Sequence, residues 1–244
     1  MLGHTILIAA WSDSGYSDAI PSSGILVTEI TETATGVARA HRFFQKPDPE
    51  GFPTAAAWDG AAPLRFDWDW QGMHSDSQRA TEVRLLWTPE TFFLKFHARF
   101  RNITVFADAD PTGRRNGLWD RDVAEVFLQP NPATPDQYKE FEIGPNGMWI
   151  DLDIAPGAKS DLHSGLRRRV VMHHAKMSWV AELAIPMAAL VPRFNPADVW
   201  RLNFFRVEGP TEPRFYSAWR PTNTPYPNFH VPAVFGKLIF DTRQ

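Results

Sequence analysis

The sequence predicts an all-β fold, an antiparallel β-sandwich of about ten strands with one short helical turn. Three observations predict it. Short apolar or alternating runs recur between turn residues from Val83 onward; a single stretch, Pro186 to Leu190, has helical character; and 244 residues suit one large all-β unit. Parallel βαβ units need a helix between successive strands, and the sequence supplies none.

In chain order, residues 1–40 form an N-terminal extension rich in Ser, Thr and Gly, with one expected strand, Ile25 to Thr31. Residues 41–244 form the expected sandwich. It begins with a Pro- and Gly-punctuated stretch, Phe43 to Phe66, in which Trp58 and Leu64 anchor irregular chain onto a core. The expected strands follow as "VRLLWT", "TFFLKFHARF", "DVAEVFLQP", "YKEFEI", "GMWIDLDI", "RRRVVMHH", "SWVAELAIP", "VWRLNFFRVE", "RFYSAW" and "FGKLIF".

Charge and composition exclude several functions. A formal net charge of -3 offers no positive footprint for nucleic acid. The absence of cysteine excludes disulfides, thiolate zinc sites and a cysteine nucleophile. The opening "MLGHTILIAAW" is shorter than a membrane span and has no basic residue before its apolar run, so it carries no clear export signal and localisation stays open.

The segment "EFEIGPNGMWIDLDI" has the pattern of a hairpin turning at Pro145-Asn146-Gly147. A two-residue turn would put Phe141 and Ile143 on the core side with Met148, Ile150, Leu152 and Ile154. Glu140, Glu142, Trp149, Asp151 and Asp153 would share the other face, where like charges repel. Arg167 or Arg169, a bound cation, or a polyol donating hydroxyl hydrogens could answer those acids. The stretch Asp108 to Gly113 resembles the beginning of a calcium loop without the rest of it.

Glu125 lies in "WDRDVAEVF", where both faces of the strand are largely apolar, as in a strand covered on both sides. A carboxylate there is costly unless it is answered. Two readings stand: a pair with a neighbouring arginine such as Arg206, or the floor of a ligand pocket with Trp119 at the rim.

The runs "VRLLWTPETFFLKF", "LWDRDVAEVFLQP", "YKEFEIGPNG", "WVAELAIPMAAL", "WRLNFFRV" and "SAWRPTNTPYPNFHVPAVFGKLIF" occur in this order. Together they resemble carbohydrate-binding module family 9 and its family 9-like (DOMON-like) relatives, from Ala55 to Phe240. The resemblance implies a β-sandwich with non-catalytic carbohydrate binding. It also implies association with glycoside hydrolases in polysaccharide catabolism, structural calcium, and an extracellular or periplasmic setting. By motif, Trp119 and Phe229 would clamp a terminal sugar, and Glu125 would accept its hydroxyl hydrogens; Asp122, Glu142, Asn228 and His230 complete the expected carbohydrate site. Flat aromatic faces cover the C–H side of a pyranose while carboxylates and amides accept from its hydroxyls. Two departures stand out: phenylalanine occupies the second clamp position, and Glu142 replaces an arginine.

Two alternatives belong to other classes. Glu140 and Glu142, about 7 Å apart along one strand, would be the acid pair of a glycoside hydrolase. Met148, Met172, His173 and His174 would offer haem ligands in an electron-transfer sandwich domain.

Overall fold

The computed structural model describes residues 36–108 and 113–242. The expected strand Ile25 to Thr31 lies outside these residues, as does most of the loop from Asp108 to Gly113. Among the described residues the chain is all-β, and thirteen strands join one sheet. They are β1 (Val37–Arg42), β2 (Leu64–Phe66), β3 (Thr81–Trp87), β4 (Thr91–Arg99), β5 (Val123–Gln129), β6 (Tyr138–Ile143) and β7 (Trp149–Ala155), then β8 (Ala158–Asp161), β9 (Arg167–His173), β10 (Ser178–Pro186), β11 (Trp200–Glu208), β12 (Phe215–Ala218) and β13 (Gly236–Asp241). Two short helices, α1 (Ala55–Asp59) and α2 (Met187–Leu190), accompany them. No helix among the described residues is long and apolar enough to cross a membrane.

The strand order is β8-β7-β6-β5-β11-β13-β1-β3-β4-β10-β9, with β12 on β11 and β2 on β3. All ten runs expected from the sequence form strands. The three additional ones, β1, β2 and β8, gave little signal: β1 is Ala- and Arg-rich, β2 has three residues, and β8 is exposed throughout. Every ladder is antiparallel except those of β1, which runs parallel to both β13 and β3. The sheet is therefore mixed, because the first strand inserts between two strands that arrive from later, separate parts of the chain. Residue 40, the expected boundary, lies within β1, the first strand among the described residues.

Side chains from strands that are not neighbours in this order meet in one core. Phe96 on β4 lies edge-on to Phe204 on β11 at 6.1 Å, and Phe92 on β4 reaches Phe240 on β13 at 6.0 Å. The sheet curls on itself to make these contacts. Burial of each such side chain contributes about 1.5–3 kcal/mol. Outside the sheet, Thr54 caps α1 by accepting from Ala57 N at 3.4 Å, and α1 places Trp58 against the core with 1% exposure. Leu64 is equally buried, so both expected anchors hold. The expected helical turn is α2, which buries Met187 and Leu190.

The β6–β7 hairpin corrects the expected faces. Its loop has an odd number of residues, from Gly144 to Met148, closed by Gly144 N donating to Met148 O at 2.8 Å. Gly147 takes φ +85°, which favours glycine. An odd loop shifts the register by one residue and exchanges the faces of one strand. Glu140 therefore pairs with Leu152 and Glu142 with Ile150, while Phe141 pairs with Asp151 and Ile143 with Trp149. Phe141 and Ile143 enter the main core; Met148, Ile150 and Leu152 join a second apolar cluster on the other side of the sheet. Asp151 leaves the two glutamates and is satisfied by Arg114 Nε at 3.1 Å and Ser164 N at 2.7 Å. Arg167 and Arg169 do not answer these acids. Arg167 donates to Glu50 O at 2.6 Å, and Arg169 binds Asp48 and Glu182, each at 2.6 Å.

Candidate functional site

Strand β5 is buried along its whole length. Ala124, Val126 and Leu128 face the main core, while Val123 and Phe127 face the second cluster. Glu125 shares the second face. Register sets it directly opposite Glu142 on β6 and Phe205 on β11, and it sets Phe127 opposite Glu140. Three carboxyl groups thus gather at one place, each contributing an oxygen within 4.8 Å of the others. Their residues are 3% (Glu125), 2% (Glu140) and 0% (Glu142) exposed. They floor a cavity of about 410 Å³.

The arginine pairing considered for Glu125 does not form. Arg206 sits opposite Ala124 and points with it into the main core, where it donates to Arg99 O at 3.0 Å and Glu208 Oε2 at 3.1 Å. Neither oxygen of Glu142 receives a hydrogen bond from a donor group, nor does Oε2 of Glu140; the polar neighbour of the Glu142 carboxyl is the Glu140 carboxyl itself. Burial pushes the Glu125 carboxyl well above the ordinary carboxylate range, and the charge of Glu140 adds to the effect. Burial does the same to Glu142, helped by Glu125 across the ladder. Glu125 and Glu142 therefore hold protons more tightly than exposed carboxylates do, and a protonated carboxyl can donate as well as accept.

Trp119 lies in a 3-10 turn, Leu118–Asp120, whose neighbour Leu118 is anchored in the second cluster at 1% exposure. Arg214 fixes that turn by donating to Trp119 O and Arg121 O, both at 2.8 Å, and to Gly209 O at 3.0 Å. The indole lines the cavity and remains half-buried. Lys159 on β8 lies over it at 4.1 Å and reaches Glu140 Oε1 at 3.8 Å.

Phe229 lines the same cavity, but one of its faces is stacked on Phe205 at 4.2 Å and 12°. It is a packed wall, 9% exposed, unlike the freer indole. Asn228 and His230 flank it on the cavity lining. Asn228 Oδ1 accepts from His230 N at 3.0 Å, and His230 Nδ1 meets the Tyr138 hydroxyl at 2.6 Å, which fixes the loop to β6.

Six of the seven site residues expected from the sequence thus line one cavity: Trp119, Glu125, Glu142, Asn228, Phe229 and His230. Asp122 is the exception. It is 1% exposed, and its two oxygens accept from Thr104 N at 3.0 Å and Gly209 N at 2.8 Å. Alternation along the chain carries it away from Glu125, and its place is to join two loops. Sequence reasoning missed Lys159, Arg214 and Tyr216 at the cavity. No local pattern marks them, because their position depends on strand pairing and on the loop after β11.

The haem alternative lacks a common site. Met148 belongs to the second cluster, Met172 packs against the main core, and His173 and His174 lie at the end of β9.

No protein-family model matches the chain. Among curated proteins it is 27% identical over 227 residues to an extracellular protein of Arthroderma benhamiae, covering 85% of this chain and 95% of that protein. It is 24% identical over 185 residues to the UPF0462 protein C4orf33 homolog of Rattus norvegicus, covering 73% and 87% respectively. Among solved structures, a Bacteroides uniformis protein provisionally described as carbohydrate-binding aligns with a TM-score of 0.68 at 18% identity, covering 84% of this chain and 99% of that one. A carbohydrate-binding module of family 9 from Caldicellulosiruptor kristjanssonii, in complex with cellotriose, aligns with a TM-score of 0.62 at 13% identity, covering 85% and 95%. These likenesses show that the fold is that of a family 9-like carbohydrate-binding module.

Proposed function

We propose that the cavity between Trp119 and Phe229 binds a carbohydrate end without transforming it. The observation that carries this reading is the pairing of unpartnered, buried carboxyl oxygens on Glu142 and Glu140 with a half-exposed indole on one cavity. The volume of about 410 Å³ falls within the roughly 300–1,000 Å³ of small-molecule sites. Trp119 offers the stacking face, Phe229 backed by Phe205 forms an apolar wall, and Glu125, Glu140 and Glu142 meet the sugar hydroxyls. Asn228 and His230 supply further polar edges. The solved complexes of family 9 modules with cellotriose and glucose support a sugar as the ligand class.

A hydrolase reading is weaker on geometry. Glycoside hydrolysis needs two carboxyl groups on opposite sides of the scissile bond. Here all three acids rise from the adjacent strands β5 and β6 and reach the cavity from one wall. A link to polysaccharide breakdown through a separate glycoside hydrolase belongs to the proposal as the physiological setting.

Calorimetric titration with mono- and oligosaccharides tests the reading. Trp119→Ala should weaken the sugar that binds by about tenfold, equivalent to about 1.4 kcal/mol, with the melting temperature nearly unchanged. Undiminished affinity in the folded variant would remove Trp119 from the site, and no binding of any sugar by the wild type would end the carbohydrate reading.

A further inference from the structure

The floor of the cavity gathers more carboxyl groups than its surroundings answer. Glu125, Glu140 and Glu142 each bring one carboxyl oxygen within 4.8 Å of the others. A hard divalent cation holds oxygen ligands at 2.3–2.6 Å, so even ligands on opposite sides of it lie within about 5.2 Å of each other. One ion can therefore take an oxygen from all three residues.

The unpartnered oxygens are a second observation. Glu142 is fully buried, lines the cavity and receives no hydrogen bond from a donor group on either oxygen; Oε2 of Glu140 is in the same state. A buried carboxylate without a partner is expensive. The basic side chains at the cavity do not resolve it. Arg214 directs its guanidinium to three backbone carbonyls. Lys159 pairs with Glu140 at 3.8 Å and lies over the Trp119 ring at 4.1 Å.

The cavity lining carries the carboxyl groups of Asp120, Glu125, Glu140, Glu142 and Glu212 against the cationic side chains of Lys159 and Arg214, so acids outnumber bases there. A monovalent ammonium, as on an amino sugar, is the competing occupant. All three ligands are carboxylate oxygens, which suit calcium, magnesium or manganese better than softer metals. Calcium, with six to eight flexible oxygen ligands, leaves the most positions for a ligand.

The geometry points to a divalent-cation site of the calcium class at the floor of the cavity, held by Glu125, Glu140 and Glu142 and open on the cavity side to neutral oxygen ligands. Vicinal sugar hydroxyls are such ligands. The inference rests on the carbohydrate reading for that last role alone, and ion binding is tested without sugar.

The experiment titrates calcium into the full chain after chelator treatment, by calorimetry and by tryptophan fluorescence, for the wild type, Glu142→Gln and Glu125→Gln. Thermal melts confirm that each variant is folded. The wild type should take up one calcium ion per chain, and each variant should bind about tenfold or more weakly, since even outer partners of a metal act on that scale. No saturable binding up to about 10 mM, beyond the weakest extracellular calcium modules, would overturn the site, as would unchanged affinity in the folded variants. Glucose and glucosamine are then compared with and without calcium. Glucosamine binding more tightly than glucose in chelator, with no calcium bound, would overturn the metal in favour of an ammonium. Calcium binding with no sugar binding leaves the ion site standing and removes the carbohydrate reading; sugar binding with no calcium binding does the reverse.

Discussion

Replacing Glu142 by glutamine should stabilise the protein when no cation is present. Glu142 is wholly buried, pairs directly across the ladder with Glu125, and receives no hydrogen bond from a donor group on either carboxyl oxygen. Glutamine keeps the length and shape of the side chain, removes the charge, and brings an amide that can donate to Glu125 or Glu140. An unpartnered buried polar group costs about 1–3 kcal/mol, so the substitution should return about that much at pH 7. For a chain of this size the gain corresponds to a rise of roughly 2–12 °C in Tm. The pH dependence fixes the sign. The Glu142 carboxyl is raised in the folded state above its ordinary 4.5, so folded protein binds more protons than unfolded protein between pH 4.5 and that higher value. Wild-type stability therefore falls through this window as pH rises, and glutamine removes that loss. The advantage of Glu142→Gln should be largest at neutral pH and should fade as pH falls below 4.5, where the glutamate is protonated in both states. Thermal unfolding followed by circular dichroism in chelator, at pH steps from 4 to 8, measures it. A variant less stable than wild type at pH 7, or one whose advantage does not change with pH, would refute the reasoning.

Three other substitutions probe the frame around the site. Asp122→Ala leaves Thr104 N and Gly209 N without their acceptor; urea denaturation should show a loss of about 2 kcal/mol or more, with sugar affinity of the folded fraction unchanged, whereas loss of affinity without loss of stability would return Asp122 to the site. Arg206→Ala removes the guanidinium that lies over Trp179 and bonds Glu208 Oε2, while Glu208 keeps Arg79 at 3.2 Å and Arg101 N at 2.9 Å; the lost pair should cost about 3 kcal/mol, and a loss under about 1 kcal/mol would show that it contributes little. At Gly236 an added Cβ would meet the Trp219 ring at 2.5 Å and Gly36 O at 2.7 Å, so Gly236→Ala should lower stability by about 1–3 kcal/mol, and a neutral result in the same denaturation assay would mean that the ring can move aside.

Much of the strand content was legible because it is written locally. The runs that became β3 to β7 and β9 to β13 carry apolar side chains at strand spacing, and a strand needs little more than that to find a partner. The hairpin faces were not legible, since one additional loop residue exchanges a whole face and no composition rule counts loop residues reliably. The same shift took Asp151 into the keeping of Arg114 and left Glu140 and Glu142 beside Glu125. Trp119, Phe229, Asn228 and His230 were identifiable through short motifs in which each residue stands next to recognisable neighbours. Lys159 and Arg214 have no such neighbours; they reach the cavity because β8 pairs with β7 and because the loop after β11 folds back over the turn at Trp119.

The sequence by itself determined that this chain is built of strands, that Glu125 lies in an apolar strand covered on both faces, and that an aromatic precedes it. Those properties follow from the chemistry of adjacent residues and need no long-range contact. Tertiary structure alone decided which acids meet. Glu125 and Glu142 are separated by a loop and a ladder register, and the cost of their meeting is set by how far the curled sheet excludes water from between them. Burial and register are properties of the assembled sheet, and the charge concentrated at the cavity floor exists only once both are in place.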